Sequence, residues 1–511
     1  MSAQSFSEPF PSETNITRIG QTRTCGLFMS ARVEPFEKRI SEERSKYRVS
    51  REALLDRIEK ESMGPEQKRL MTELVKYESV GHLHWAVFRC PPVLKSGKGA
   101  ILTDVDGNTY VDFMGGFGVH NAGLSHPDIV QAIKDQAERL TQWAEMPSEP
   151  RINLAKKLTE IVPMKGEKRV QFNTTGGEAV EAAIKLARFY TGRSTILTFS
   201  GAYHGRTAGA ASLTANYFLK YTNSLPLDTG VVRFPYAYCY RCPFGKTYPD
   251  CGMFCVQYIE RWFESVHYGL RDPDRNSTSV AAIVVEACQG HSGYIVPPDD
   301  FLRELEKLCD KFQLLLCCDE VMSGMGRTGK MFAYEHSGVS PDMVTLGKGV
   351  GGGIPLSALV GLAPVMDEWG PGGHGTTYGG NHIACAAGLA LINVLQRDKV
   401  PEHAASIGGH VLKALKDMQE EHPILGDANG KGLFIGIEFV RNRETKEPAA
   451  KEADWIQRQC QHKGLLIQRA GYFGNRFNVY PPLSLTKEEA DQGLKILEEC
   501  IDAAEREFKT R

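Results

Sequence analysis

The chain has 511 residues, enough for about three folding units, with 42% hydrophobic and 24% charged side chains. Its 60 Lys and Arg nearly balance 62 Asp and Glu, for a formal net charge of −2, so the clustered positive charge of a nucleic-acid binder is not expected. No apolar run reaches a membrane span, no signal-peptide core is read near the start, and the thirteen cysteines read as reduced thiols of a cytoplasmic protein.

In chain order, residues 1–80 are rich in Ser, Glu, Arg and Lys, with a polar helical stretch from about Ser50 to Tyr77. They read as an extension wrapped on the main body; Glu8, Glu13 and Glu34 argue against an acid-poor transit peptide. Within residues 81–150, GAILTDVDGNTYVDF from Gly99 has two alternating runs joined across Asp106-Gly107-Asn108, which predicts a β-hairpin. Over 151–397, short apolar runs (Arg169–Asn173, Thr195–Phe199, Ala281–Glu286, Leu314–Asp319, Met343–Leu346, Ala358–Leu362) alternate with helical patterns such as Glu178–Tyr190 and Phe301–Phe312. That alternation predicts an α/β fold with a mainly parallel sheet. Residues 398–511 read as a smaller α+β domain with strands at Leu433–Phe439, Leu465–Gln468 and Phe477–Tyr480 and a last helix at Lys487–Arg506.

Four segments carry chemistry. VQFNTTGGEAVEAAIKLARFY places Thr174-Thr175-Gly176-Gly177 between a strand and an amphipathic helix, where free amides and the helix dipole face an anion. FSGAYHGRTAGA puts Tyr203 and His204 in a glycine-framed loop after a strand, where a flat aromatic can stack on a heteroaromatic ring. LLLCCDEVMSGMGRTG ends an apolar strand at Asp319, a carboxylate aimed at a ligand crevice, with Val321 two residues on. PDMVTLGKGVGGGIPLSALVG sets Lys348 in a strand-end loop; a shielded amine there has a lowered pKa and becomes a Schiff-base nucleophile. Each alone has an ordinary reading: a Gly-Gly turn, a core tyrosine or histidine, an aspartate capping a turn, a solvated lysine.

In this order, and with DVDGNTYVDF, LSHP, SLT, DEVMSGMGRTGKMFAYEHSGVSPDMVTLGKG and HGTTYGGNHIACAAGLA, the chain from about Gly81 to Arg511 resembles the class III pyridoxal-phosphate aminotransferases, which include the 4-aminobutyrate and ornithine enzymes. The resemblance implies fold type I, the aspartate aminotransferase architecture, with the smaller domain built from both chain ends. It implies pyridoxal 5'-phosphate as cofactor, Lys348 as the Schiff-base lysine and proton carrier, and Asp319 on the pyridine nitrogen. Val321 and Tyr203 then sandwich the ring, Thr175, Gly176 and Gly177 take the phosphate, and His204, Glu286 and Met322 line the cofactor. Thr377 resembles the threonine that reaches the phosphate of a neighbouring subunit, which implies a homodimer with shared sites. Phe117 and Trp143 fall by resemblance near the cofactor entrance.

Three departures bear on substrate. In GNRFNVYPPLSLT, Asn478 stands where relatives acting on α-amino acids or glutamate place a carboxylate-clamping arginine; Arg476, on the same face of a strand, is the candidate for a displaced anchor. In VEACQGHSGY, His291 replaces the glutamate that neutralises that arginine, and Met322 replaces a glutamine beside the ring oxygen. The donor is therefore expected to be a primary amine or ω-amino compound, with a carbonyl acceptor, in a ping-pong reaction. An amino-acid racemase or epimerase on the same fold, with His291 as second acid, is the alternative; an inactive interaction protein is a third. YCYRCPFGKTYPDCGMFC, within an insertion at 236–256, places Cys239, Cys242, Cys251 and Cys255 in a C-x2-C-x8-C-x3-C pattern. Four thiolates suit a structural zinc or an iron–sulfur centre pinning the loop; disulfides and free thiols are the competing readings.

Overall fold

The computed structural model describes residues 50–79, 91–215 and 229–508. Glu8, Glu13 and Glu34, weighed above against a transit peptide, lie outside them.

A seven-stranded sheet forms the centre, in the order Lys168–Asn173, Ser357–Leu362, Met343–Leu346, Leu315–Asp319, Val280–Glu286, Thr195–Phe199, Val231–Phe234. Five neighbours run parallel, and Ser357–Leu362 alone is antiparallel to both strands beside it. Every residue of Val280–Glu286 and Leu315–Asp319 is buried, which is why these segments read as unbroken apolar runs; helices cover both faces of such a sheet. Asp319 and Glu286 are paired in register at the carboxyl ends of their strands.

Helix Gly176–Thr191 starts from a capping box in which Thr175 Oγ1 accepts from Glu178 N while Glu178 reaches back to Thr175 N, and it stops at Gly192 with φ 68°. Its inner face is Ala179, Val180, Ala182, Ala183, Leu186 and Ala187, small enough to lay the helix close on the sheet. Helix Asp300–Phe312 buries Phe301, Leu302, Leu305, Leu308, Cys309 and Phe312, an i, i+3, i+4 stripe.

Hairpin strands Ile101–Asp104 and Thr109–Asp112 pair across the predicted turn, and Thr109–Asp112 then pairs parallel with Leu465–Leu466 from near the far end of the chain. A further sheet joins Leu425–Lys431, Phe434–Asn442, Arg476–Val479 and Gln468–Ala470, all antiparallel. The polar stretch at Ser50 forms two helices, Arg51–Lys60 and Pro65–Tyr77, with their own small core of Leu54, Ile58, Met71 and Val75. They are tied to the hairpin turn: Asp106 accepts from the amides of Glu66 and Gln67, and Gln67 Nε2 donates to Asp104 at 2.8 Å.

Candidate active site

Lys348 directly follows the strand Met343–Leu346 and Gly347, with a left-handed φ of 46°, an uncommon backbone for a side-chain-bearing residue. Burial lowers its amine to about 8, partly countered by Asp319 and Glu286. Its Nζ lies 2.8 Å from Met322 Sδ.

Asp319 is buried and held from two sides: Oδ2 lies 2.7 Å from His204 Nδ1, and Oδ1 accepts from the Val321 amide at 3.0 Å. His204 is fixed in turn, its Nε2 3.2 Å from Thr198 Oγ1 and its amide donating to Thr214. Glu286 is a second buried carboxyl, pushed up to about 7 by burial, that accepts from the amides of Tyr203 at 2.9 Å and Gly290 at 2.8 Å. The Tyr203 ring lies 5.1 Å from the ring of His291, which is exposed.

At the strand-to-helix junction the amides of Gly176 and Gly177 are the first two of the helix and have no intrahelical acceptor. A Cβ on Gly176 would come within 2.8 Å of Val321 Cγ1, and one on Gly205 within 2.8 Å of Gly177 Cα, so backbone rather than side chain surfaces this cradle. Two bare amides at a helix N-terminus, a buried acid at a strand end, a flat aromatic and a deprotonable lysine together fit pyridoxal phosphate: the amides and dipole for its phosphate, the acid for its ring nitrogen, the amine for its aldehyde.

The remaining candidates are gathered less tightly. Phe117 is 46% exposed with φ 62°, and its neighbour Gly118 packs on Met322, which keeps that segment beside the site. Trp143 is 61% exposed, and Thr377 is exposed with its carbonyl taken by Gln142 Nε2. Asn478 is buried, with Nδ2 3.4 Å from Gly290 O and no partner on Oδ1.

Arg476 is where the structure departs most from the displaced-anchor expectation. It is buried, its Nη1 donates to Glu438 at 2.6 Å and Tyr238 at 2.8 Å, and its Nε donates to Gly293 O at 2.6 Å. Burial alone would pull its pKa down, but Tyr238, Glu438 and Asp427 outweigh that and hold it above the usual value. Glu438 also takes Arg241 and the Tyr238 hydroxyl from the cysteine-bearing insertion. The guanidinium is thus neutralised inside the fold rather than presented to a ligand.

The four cysteines of the insertion are free thiols, one exposed and three half-buried. Burial raises the Cys239 thiol to about 11 and the Cys255 thiol to about 12, with nearby cysteines adding to both. The expected four-thiolate cage is not assembled: among the described residues, the sets of three ligand atoms within 4.8 Å of one another are built on His422 with Glu421 and Glu498 or with Asp502 and Glu505. The insertion instead closes on aromatic packing, Phe244 against Phe254 at 5.1 Å and Tyr258 at 5.2 Å, along helix Phe254–Phe263.

Sequence reasoning passed over Arg206. It is exposed two residues past His204 and has no ion pair among the described residues. The signal was in the same FSGAYHGRTAGA segment, where attention went to the aromatic pair.

Residues 86–501 match the family "Aminotransferase class-III". The chain belongs to that family. A leucine/methionine racemase of Thermococcus litoralis is 40% identical over 415 residues, covering 80% of this chain and 90% of its own length. The 5-aminovalerate aminotransferase DavT of Pseudomonas aeruginosa is 36% identical over 83% of this chain and 95% of its own. Among solved structures, a PLP-bound amine transaminase from an uncultivated Pseudomonas species superposes with a TM-score of 0.75 at 31% identity, over 81% of this chain and 95% of that one. This class III aminotransferase is therefore a pyridoxal-phosphate enzyme of fold type I. No helix among its described residues is long and apolar enough to cross a membrane.

Proposed function

We propose that this class III aminotransferase takes its amino group from a primary amine or an ω-amino compound and passes it to a keto acid or aldehyde in two half-reactions, as a homodimer in the cytoplasm. The observation that carries the donor class is the buried Arg476–Glu438 pair, which leaves no free guanidinium at the position where an α-carboxylate would be clamped. Asn478 presents an amide in place of a charge.

Pyridoxal phosphate supplies an aldehyde that accepts the amino group and a ring that withdraws electrons from the carbon bearing it. Lys348, with its amine lowered to about 8, is the group that would take the proton from that carbon and deliver it two bonds away, to the carbon that carried the aldehyde. Asp319, clamped by His204 and the Val321 amide, keeps its carboxylate aimed at the ring nitrogen. Tyr203 and Val321 confine the ring between them, and the Gly176 and Gly177 amides anchor the phosphate. A second copy completing each site follows from the resemblance of Thr377 to the threonine that reaches a neighbouring subunit's phosphate, and the exposure of Thr377 and Trp143 is consistent with it.

The test adds donors singly to the cofactor-loaded protein without keto acid and follows the visible absorbance of the cofactor. ω-Amino acids and primary amines are expected to discharge it faster than α-amino acids. Equal or faster discharge by α-amino acids would overturn the donor class, and no visible band after adding pyridoxal phosphate would overturn the enzyme reading.

A further inference from the structure

Two side-chain amides stand opposite each other on the strands Gln468–Ala470 and Arg476–Val479, and the packing leaves one atom of each without a partner. Gln468 and Asn478 are register partners, which sets their Cβ atoms about 5 Å apart on one face of the sheet. Asn478 is buried. The Gly290 carbonyl can only accept, so Nδ2 is the atom turned toward it, at 3.4 Å, and Oδ1 is left as an acceptor with no donor. Half-buried Gln468 is fixed the other way round: the Tyr480 hydroxyl, itself buried, gives its single proton to Gln468 Oε1, and Nε2 is left as a donor with no acceptor among the described residues. Gly436, opposite Asn478 on its other neighbouring strand, has no side chain to meet either need.

The pair borders the Lys348 site. A Cβ on Gly290 would lie 3.1 Å from Met322 Cγ, and Met322 Sδ lies 2.8 Å from Lys348 Nζ, so one backbone residue and one methionine separate Asn478 from the reacting amine. Arg476, two residues before Asn478, is neutralised by Glu438. What remains at this edge of the site is one open acceptor, one open donor and no unbalanced charge.

We propose that Asn478 and Gln468 form the subsite for the far end of the amino donor, and that this end is an uncharged group able both to donate and to accept a hydrogen bond: the hydroxyl of an amino alcohol or the carboxamide of an amino amide. This rests on the aminotransferase reading, since it names the donor of that same site. A hydroxyl gives its proton to Asn478 Oδ1 and takes one from Gln468 Nε2; a carboxamide does the same with its N–H and its C=O. A carboxylate has no proton for Oδ1 and sets its charge against two carbonyl oxygens, those of Asn478 and Gly290. An ammonium has no lone pair for Gln468. An alkyl end leaves both amide atoms unpaired after displacing water from them, and a site of this kind rejects the analogue that lacks the polar group.

The experiment is a single half-reaction on the cofactor-loaded protein without keto acid, followed by the visible absorbance of the cofactor. Straight-chain donors of increasing length are run in matched sets ending in hydroxyl, carboxamide, methyl, carboxylate or ammonium, at equal concentrations below saturation. At the best length the alcohol or the amide is expected to discharge the cofactor about tenfold faster than its methyl counterpart and to outrun the carboxylate and the ammonium; the faster of those two arms tells hydroxyl from carboxamide. In N478L that polar-to-methyl ratio is expected to fall about tenfold, and in N478D the ammonium-ended donor is expected to overtake the alcohol, because a carboxylate that only accepts has replaced the amide. Q468L, at a half-buried position, is the second variant and is expected to lower the same ratio. A ratio of one at every length in the parent protein, a carboxylate end that leads the series, or a ratio that neither N478L nor Q468L lowers would overturn the proposal. Failure of the aminotransferase reading is a separate result, in which no donor of any ending changes the cofactor absorbance.

Discussion

At the scale of single residues, the site depends on how its charges are placed relative to water. Lys348 is the amine that must be neutral to attack an aldehyde, and burial sets its pKa at about 8 against the ordinary 10.5. Below that value the amine carries a proton and has no lone pair; above it the nucleophile is free. The rate at which cofactor-free protein takes up pyridoxal phosphate, followed by absorbance, is therefore expected to rise with pH and level off above about 8. A limb that continued to rise toward 10.5 would mean that the amine is solvated. The motif reading singled out Asp319, which ends an apolar strand, and Lys348, which follows one after Gly347, both local signals. It could not see that Arg476 is neutralised, because Glu438 and Tyr238 come from segments 38 and 238 residues away.

Among the elements, the junction from strand Lys168–Asn173 into helix Gly176–Thr191 is closely packed. With Val321 Cγ1 2.8 Å from where its Cβ would sit, Gly176→Ala overpacks the cradle, and pyridoxal phosphate is expected to bind about tenfold more weakly, near 1.4 kcal/mol. Adding Val321→Ala in that background relieves the clash, so titration of the double variant is expected to recover part of the loss. In the smaller sheet, Arg476 and Glu438 face each other on paired strands. Glu438→Gln leaves a buried cation short of its counter-charge and is expected to cost about 3–5 kcal/mol in urea unfolding. Strand and helix existence was legible wherever periodicity was strong: Thr195–Phe199 and Met343–Leu346 match residue for residue, and Phe301–Phe312 lies within one residue of the helix. Helix Phe254–Phe263 was not legible, because its cysteines and aromatics drew a metal-knuckle reading, whereas Phe254 and Tyr258 pack as an ordinary i, i+4 pair around Phe244.

For the molecule as a whole, the single chain leaves Phe117, Trp143, Met146 and Tyr378 on its surface at 46%, 61%, 55% and 60% exposure. The proposed second copy would cover that apolar area. Light scattering is expected to give twice the chain mass, and Trp143→Glu to shift the protein toward monomer with loss of cofactor uptake. The α/β class and all strands of the central sheet but Val231–Phe234 were readable from alternation, but the strand Leu425–Lys431 and the pairing of Thr109–Asp112 with Leu465–Leu466 were not. That contact joins residues more than 350 positions apart, and no local pattern encodes it.

The Glu286 carboxylate has a mechanical consequence of its own. By gripping the amides of Tyr203 and Gly290 together, it turns two loops from distant parts of the chain into one leaf. Such a leaf cannot open on the Tyr203 side while staying shut on the His291 side. A substitution that loosens either loop is therefore expected to disturb the other through this shared carboxylate.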